Sequence, residues 1–124
     1  MSCASASAID IFAFETIPRL DEAEAILQAL EGLSQERKAA HRPPAYLSFV
    51  FPPDCDGRLP WQASRPVDVI DLLSRHASLA NSWPVLGVGV NCTKLALMDR
   101  VVKELNTAAG NYGTQSALFV SHAQ

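Results

Sequence analysis

Two reactive side chains each follow an apolar segment of this sequence, and they are its clearest candidates for chemistry. Cys92 comes after the apolar run Pro84–Val90, and Glu15 comes after the apolar run Ala8–Phe14. A cysteine placed there suits a metal-ligating thiolate or a nucleophile, because a helix that begins just after it favours the thiolate. The carboxylate suits a ligand-binding group. A cysteine that only packs and a solvated glutamate that begins a loop remain open alternatives.

The other polar candidates carry weaker signals. Asn91 directly precedes Cys92, and asparagine is common in turns, where it bonds its own backbone. Cys55 falls in a predicted loop, where an incidental exposed thiol is the favoured interpretation. The histidines match no zinc or triad spacing, since two are predicted in or near polar connectors and one in a terminal tail (His41, His76 and His122). Both tryptophans, Trp61 and Trp83, are predicted to be packing residues.

The segments that position these groups begin with a strand and a helix. Ala8–Phe14 is nearly continuously apolar, which is typical of a strand covered on both faces. Asp21 is a predicted N-cap, with Glu24 completing a capping box, and the helix is predicted to end near Gly32. One apolar stripe runs along it at helical spacing (Leu20, Ala23, Ile26, Leu27 and Leu30).

The middle of the sequence repeats this arrangement. Ala45–Phe51 is the second predicted strand, ended by Pro52–Pro53, and a loop with Cys55 follows. Pro66 suits the first position of the second helix. The predicted buried stripe of this helix falls at helical spacing (Val67, Ile70, Leu73 and Ala77). The third strand is predicted over Pro84–Val90.

A third helix and a possible fourth strand complete the pattern. The helix is predicted to end near Asn106, and Ala117–Val120 could begin a strand; the inward residues of the helix are Leu97, Met98, Val101, Val102 and Leu105. Alternating strands and helices predict an α/β fold with a parallel sheet and right-handed crossovers. Such sheets gather functional groups at the carboxyl ends of their strands. Glu15–Thr16, Ser48 and Asn91–Cys92 are therefore expected to converge on one edge.

The composition excludes several classes of function. The chain has 124 residues, so one domain is expected, and 48% of the residues are hydrophobic. Acidic residues outnumber basic ones by 13 to 10, without the basic cluster that a nucleic acid partner requires. The sequence pattern predicts neither a signal peptide nor a membrane span. Three cysteines without CxxC spacing argue against a disulfide framework and predict a cytoplasmic protein.

Three blocks in order resemble the homocysteine S-methyltransferase family. Phe14–Pro18, followed by Asp21–Ala23, is similar to the family segment in which a strand ends in an E-T-I-P turn. Gly89–Cys92 is similar to its G-x-N-C motif, and Tyr46–Phe49 matches the intervening strand. The resemblance covers about residues 8 to 106, and residues 107–124 form a divergent tail of the single partial domain 1–124.

The resemblance implies a (β/α)8 TIM barrel that binds zinc through three cysteine thiolates and methylates homocysteine to methionine. It makes Cys92 a zinc ligand, places Glu15 at the amino group of homocysteine and makes Asn91 part of the same pocket. Zinc activates the substrate thiol as a thiolate that attacks the methyl carbon. S-methylmethionine and S-adenosylmethionine are both compatible methyl donors.

The sequence also departs from this family. The other two zinc ligands belong to a Gly-Gly-Cys-Cys motif, which these residues do not contain. About three of the eight β/α units are expected, with a possible extra strand, so the chain is expected to be incomplete and inactive alone. A truncated gene model, an unspliced reading or a degenerate paralogue would explain this. The alternatives are a non-catalytic α/β module that self-associates through its open sheet edges, and a flavodoxin-like phosphate-binding domain.

Overall fold

Strands and helices alternate along the chain in the computed structural model, which describes residues 9–36, 42–79, 82–111 and 117–118. The strands are β1 (Phe12–Ile17), β2 (Ala45–Phe49), β3 (Val85–Val90) and β4 (Ala117–Leu118). The helices are α1 (Leu20–Glu36), α2 (Pro66–Ala77) and α3 (Leu95–Asn111), and a short 3₁₀ turn covers Pro53–Cys55. The predicted order of elements is confirmed. The predictions for His41 and His122, and for the second half of the fourth strand, lie outside the described residues.

All pairings between the described strands are parallel, in the order β1-β2-β3-β4. The predicted parallel β/α arrangement is therefore confirmed. A flavodoxin-like sheet has the order 2-1-3-4-5 and binds its ligand where that order reverses. The described strands contain no such reversal, so the flavodoxin-like interpretation is wrong.

One face of the sheet shares a continuous core with all three helices. In β2, Leu47 and Phe49 are fully buried in this core, and Val88 and Val90 of β3 lie beside them. Because successive strand residues point to opposite faces, Tyr46 and Ser48 lie on the other face. The helices contribute apolar residues spaced three or four positions apart, including Ala23, Leu27, Val69, Ile70, Met98, Val101 and Leu105.

The first strand lies further along the chain than predicted. It covers Phe12–Ile17 rather than Ala8–Phe14, so Glu15 is within the strand and not after it. The strand continues because Ile17 is buried and its carbonyl accepts a hydrogen bond from Val50 N at 3.0 Å. The register shifts between Phe14 and Ile17, which marks an irregularity of the β-bulge kind.

Both ends of α1 differ from the prediction. The helix begins at Leu20, so Asp21 is in its first turn rather than at the N-cap, and its carboxylate lies 2.7 Å from Arg19 Nη2. The hydrogen bond from Arg19 holds the pKa of Asp21 below its usual value. The helix passes Gly32 and ends at Glu36, with Ser34 buried in its last turn.

Three other boundaries also moved. The second strand ends at Phe49 rather than Phe51, although Phe51 is still fully buried in the core. The third strand begins at Val85, one residue later than predicted. The third helix continues five residues past Asn106, because the small residues after it remain buried against the core (Ala108 and Ala109).

The second helix begins at Pro66 as predicted, but its buried face is rotated. Ile70 is buried as expected, whereas Ala77 is exposed. The further buried residues of the helix are Pro66, Val69, Leu72 and His76. His76 is thus not in a connector: its Nε2 lies 3.1 Å from the Trp83 carbonyl oxygen and links α2 to the segment before β3. Trp83 is buried as predicted.

Within the described ranges, none of the helices combines the length and the apolar character that crossing a membrane requires.

Candidate functional site

The carboxyl ends of β1, β2 and β3 meet, as the sequence predicted for a parallel sheet. The structure brings together Thr16 from β1, Ser48 from β2, and Asn91 with Cys92 directly after β3. The hydrogen-bonded pairs are up to 75 positions apart in the chain. Their side chains and one backbone amide form a single hydrogen-bonded group, which we call the strand-end network.

Asn91 is the centre of the strand-end network. Its Oδ1 accepts hydrogen bonds from Thr16 N at 3.1 Å and from Ser48 Oγ at 2.8 Å. Its Nδ2 donates to Thr16 Oγ1 at 2.7 Å and lies 3.5 Å from Cys92 Sγ. The side chain is buried, so these partners satisfy an amide that would otherwise be costly to desolvate.

The backbone around Cys92 turns sharply. Cys92 has a φ of 52°, in the left-handed region that non-glycine residues seldom adopt, and its side chain is exposed. Asn91 N donates to Phe49 O at 3.0 Å, which anchors the turn to β2. The packing cysteine considered from the sequence is therefore wrong, because the thiol lies at the surface of the strand ends.

Thr93 secures the other side of this turn. Its Oγ1 accepts a hydrogen bond from Phe51 N at 3.0 Å and donates one to Asn91 O, also at 3.0 Å. Thr93 is buried, so it joins the segment after β2 to the segment after β3 away from water. Sequence reasoning missed this role; the one available signal was a hydroxyl residue two positions after a strand end.

Replacing Thr93 by valine tests this support. Valine has nearly the same shape but removes both hydrogen bonds and leaves the buried Phe51 N–H without its partner. We expect the free energy of unfolding to fall by about 1–3 kcal/mol, measured by urea denaturation. Thr107→Val, at an exposed position of α3, is the matched control and should change it by no more than about 0.5 kcal/mol. Equal effects for the two variants would contradict the role of Thr93.

Glu15 lies on β1 beside the network but does not join it. Its exposed carboxylate is close to Tyr46 on the neighbouring strand. Burial, and then hydrogen bonding and charge repulsion from Glu15, raise the pKa of Tyr46. Glu15 forms no hydrogen bond with Asn91 or Cys92 within the described part of the chain. Its described partner is Tyr46, and its carboxylate is exposed at the same sheet edge.

The other predicted candidates are not part of the network. Cys55 lies in the 3₁₀ turn after β2, half-buried, and burial followed by repulsion from Asp54 raises the pKa of its thiol. Trp61, predicted to pack, is instead 60% exposed, and the Arg19 guanidinium lies 4.6 Å from the centre of its ring. This cation–π contact holds the loop after β2 near the end of β1.

The donor atoms at this edge are too few for a complete metal site. Among residues 9–36, 42–79, 82–111 and 117–118, no three histidine, cysteine or acidic residues form a group that could hold a metal ion. Cys92 supplies one exposed sulfur, whereas structural zinc takes four ligands and catalytic zinc keeps three from the protein. Within the strand-end network, Cys92 is therefore the single thiolate ligand for a zinc ion.

A comparison with protein families gives one match. Residues 1–122 match the family model described as homocysteine S-methyltransferase. No curated protein matches the chain. No solved structure matches it either.

Proposed function

Because the chain belongs to the homocysteine S-methyltransferase family, we propose that its strand ends form part of a site where homocysteine accepts a methyl group. The observation that carries this proposal is the convergence of β1, β2 and β3 on an exposed cysteine sulfur. In the folded chain, the G-x-N-C motif lies where the ends of these three strands meet. Asn91 is held from two neighbouring strands, and Cys92 is presented at their edge.

The reaction is a methyl transfer between sulfur atoms. The homocysteine thiol loses its proton, and its sulfur forms a bond to the methyl carbon of a sulfonium donor. The donor's bond from sulfur to methyl breaks, and its sulfur keeps the electron pair as a neutral thioether. The products are methionine and the demethylated donor, which is either methionine from S-methylmethionine or S-adenosylhomocysteine from S-adenosylmethionine.

Each residue of the site has a proposed role. The Cys92 thiolate is a zinc ligand, and its exposure leaves the sulfur accessible from the sheet edge. Glu15 binds the ammonium group of homocysteine, since its carboxylate is exposed on the neighbouring part of the sheet. Asn91 shapes the pocket between them.

Zinc, when bound, would lower the pKa of the homocysteine thiol. One thiolate does not complete such a site, so we propose that turnover requires two more thiolate ligands than the described residues supply. The chain is then a single partial homocysteine-binding domain, one segment of a TIM barrel. The free thiols of Cys55 and Cys92 suit a reducing compartment, and we place the reaction in the cytoplasm.

Homocysteine binding tests the proposal independently of turnover. L-homocysteine is added to the ¹⁵N-labelled chain with Zn²⁺, and amide resonances are followed. We expect shifts at Glu15, Thr16, Ser48 and Cys92, with serine, which lacks a thiol, as the control ligand. Absence of these shifts, or equal shifts with serine, would overturn the proposal.

Replacing Glu15 by glutamine isolates the ammonium contact. The substitution keeps the shape and removes the charge, so the dissociation constant for homocysteine should rise about 10- to 100-fold, as expected for a hydrogen bond to a charged group of about 1.5–3 kcal/mol. Glu22→Gln, at an exposed position of α1, is the matched control. The pKa of Tyr46 should also fall in the Glu15 variant, because the repulsion from the carboxylate is removed. If the affinity for homocysteine is unchanged while the pKa of Tyr46 falls, Glu15 does not bind homocysteine.

A non-catalytic module is the second candidate. Among the described strands, β1 pairs only with β2. Ile9 and Ile11 lie just before β1 and are 42% and 41% exposed. An open strand edge with apolar neighbours favours association with another chain. A stable dimer in size-exclusion chromatography that binds no homocysteine would favour this function over methyl transfer.

A further inference from the structure

We propose that Ser48 is a positioning residue for the Cys92 sulfur, acting through the Asn91 amide. Ser48 and Asn91 are 43 positions apart in the chain: Ser48 lies in β2, and Asn91 directly follows β3. Ser48 keeps the oxygen end of the amide turned inward, so that the nitrogen end faces Cys92. The importance of this for metal or substrate binding rests on the proposed function, but the positioning itself does not.

The amide has one orientation that satisfies its neighbours. The Thr16 backbone N–H can only donate, so the Asn91 atom 3.1 Å from it must be the acceptor Oδ1. In the reverse orientation, Nδ2 would face this N–H, and two donors would meet in a partly buried place. The nitrogen is therefore directed to Thr16 Oγ1 and to Cys92 Sγ, 2.7 and 3.5 Å away.

Ser48 supplies the second hold on the oxygen. Its side chain is fully buried, and its Oγ lies 2.8 Å from Asn91 Oδ1, closer than the Thr16 nitrogen. Because Ser48 pairs with Gly89 in the register of β2 and β3, the hydroxyl is carried by a regular part of the sheet rather than by a loop. A donor on a rigid strand positions its partner more accurately than a donor on a loop.

The orientation of the Asn91 amide determines the direction of the Cys92 sulfur. Cys92 has a left-handed backbone, and its side chain is exposed, so packing holds the sulfur only weakly. The hydrogen bond that the described residues give Sγ comes from the Asn91 nitrogen. An amide donor fixed in this way selects one side-chain rotamer and keeps the sulfur at the strand edge.

The test is NMR of the 124-residue chain without metal or homocysteine. The Hα–Hβ couplings of Cys92 report its side-chain rotamer, and the Asn91 side-chain amide protons report their acceptors. In the unmodified chain we expect one Cys92 rotamer and chemical shifts of both Asn91 amide protons that differ from those of an exposed asparagine. In Ser48→Ala we expect averaged Cys92 couplings. The Asn91 amide proton that faces sulfur should then have the chemical shift of an exposed asparagine. Cys92→Ala should shift that same proton, because its acceptor is gone.

Ser34→Ala is the matched control, since Ser34 is also buried and its hydroxyl also donates, to Glu31 O at 2.7 Å in α1. It should leave the Cys92 couplings unchanged. Asn91→Asp, which keeps the shape and removes the donors, should average the couplings as Ser48→Ala does, whereas Asn106→Asp on the exposed side of α3 should not. A single Cys92 rotamer retained in Ser48→Ala would overturn the proposal, and one retained in Asn91→Asp would show that the amide does not hold the sulfur, whatever the outcome of the homocysteine titration.

Discussion

Replacing Cys92 by serine is expected to abolish thiolate coordination of a metal at the strand ends while leaving the fold intact. A serine hydroxyl stays protonated at neutral pH and is a poor ligand for zinc and related ions, which prefer thiolate. The side chain is exposed, and the hydrogen bond that the described residues give its sulfur can also be accepted by a serine oxygen, so the free energy of unfolding should change by less than about 0.5 kcal/mol. Any methionine formation that depends on the site should disappear with the ligand.

Cobalt makes this result measurable, because Co²⁺ bound to thiolate has a charge-transfer absorption that zinc lacks. The chain is titrated with Co²⁺ in the presence and absence of homocysteine. Because Cys92 supplies a single thiolate, we expect without homocysteine a weak band in the unmodified chain that grows with the Co²⁺ concentration, and no such band with Cys92→Ser. With homocysteine, the band should exceed that of the same mixture of Co²⁺, homocysteine and Cys92→Ser. Cys55→Ser is the matched control and should retain the band, since Cys55 lies in a separate turn. A band that is retained in Cys92→Ser and lost in Cys55→Ser would contradict this prediction, because it would identify Cys55 as the metal ligand.

Replacing Phe49 by alanine is expected to cause the largest loss of stability. Phe49 is fully buried in the middle strand, and its neighbours across the sheet are Ile17 and Val90. Removing a buried phenylalanine costs about 3–5 kcal/mol in transfer free energy and cavity formation. Domains of this kind have a total stability of about 5–15 kcal/mol, so this loss approaches the whole for a marginal domain.

Urea denaturation followed by circular dichroism measures this loss. Leu95→Ala is the matched control, because Leu95 is 82% exposed and should change the free energy of unfolding by no more than about 0.5 kcal/mol. A loss below about 1 kcal/mol for Phe49→Ala would contradict the description of one core beneath the sheet.

Local pattern explains the parts of the fold that were predicted correctly. The strands and helices were recognised because apolar runs and helical spacing are properties of neighbouring residues, and Pro66 marked a helix start by its own geometry. Boundaries were less predictable. The first strand was placed too early because the factors that extend it, the burial of Ile17 and its hydrogen bond to Val50, involve residues in the adjacent strand.

Some side chains were interpreted wrongly for the same reason. His76 was predicted near a polar connector, but its partner is the Trp83 carbonyl, which reaches it only after α2 has packed on the sheet. Trp61 was predicted to pack, yet its contact is the charged Arg19 at the surface. Neither partner could be identified from sequence spacing, because hydrophobicity alone does not say which neighbour a side chain meets.

For the site, the pattern of residues along the chain was enough to predict that polar residues follow apolar strands and meet at one edge. That result needs only alternating elements and the parallel direction of the strands, which local patterns specify. The way in which Cys92 is presented depends on contacts between strands, which local patterns do not specify. The orientation of Asn91 depends on Thr16 and Ser48, and hydrogen bonds between residues 43 to 75 positions apart form only when three strands are in register. A cysteine that the sequence left open between a ligand and a packing residue is therefore an exposed thiol held at the strand ends.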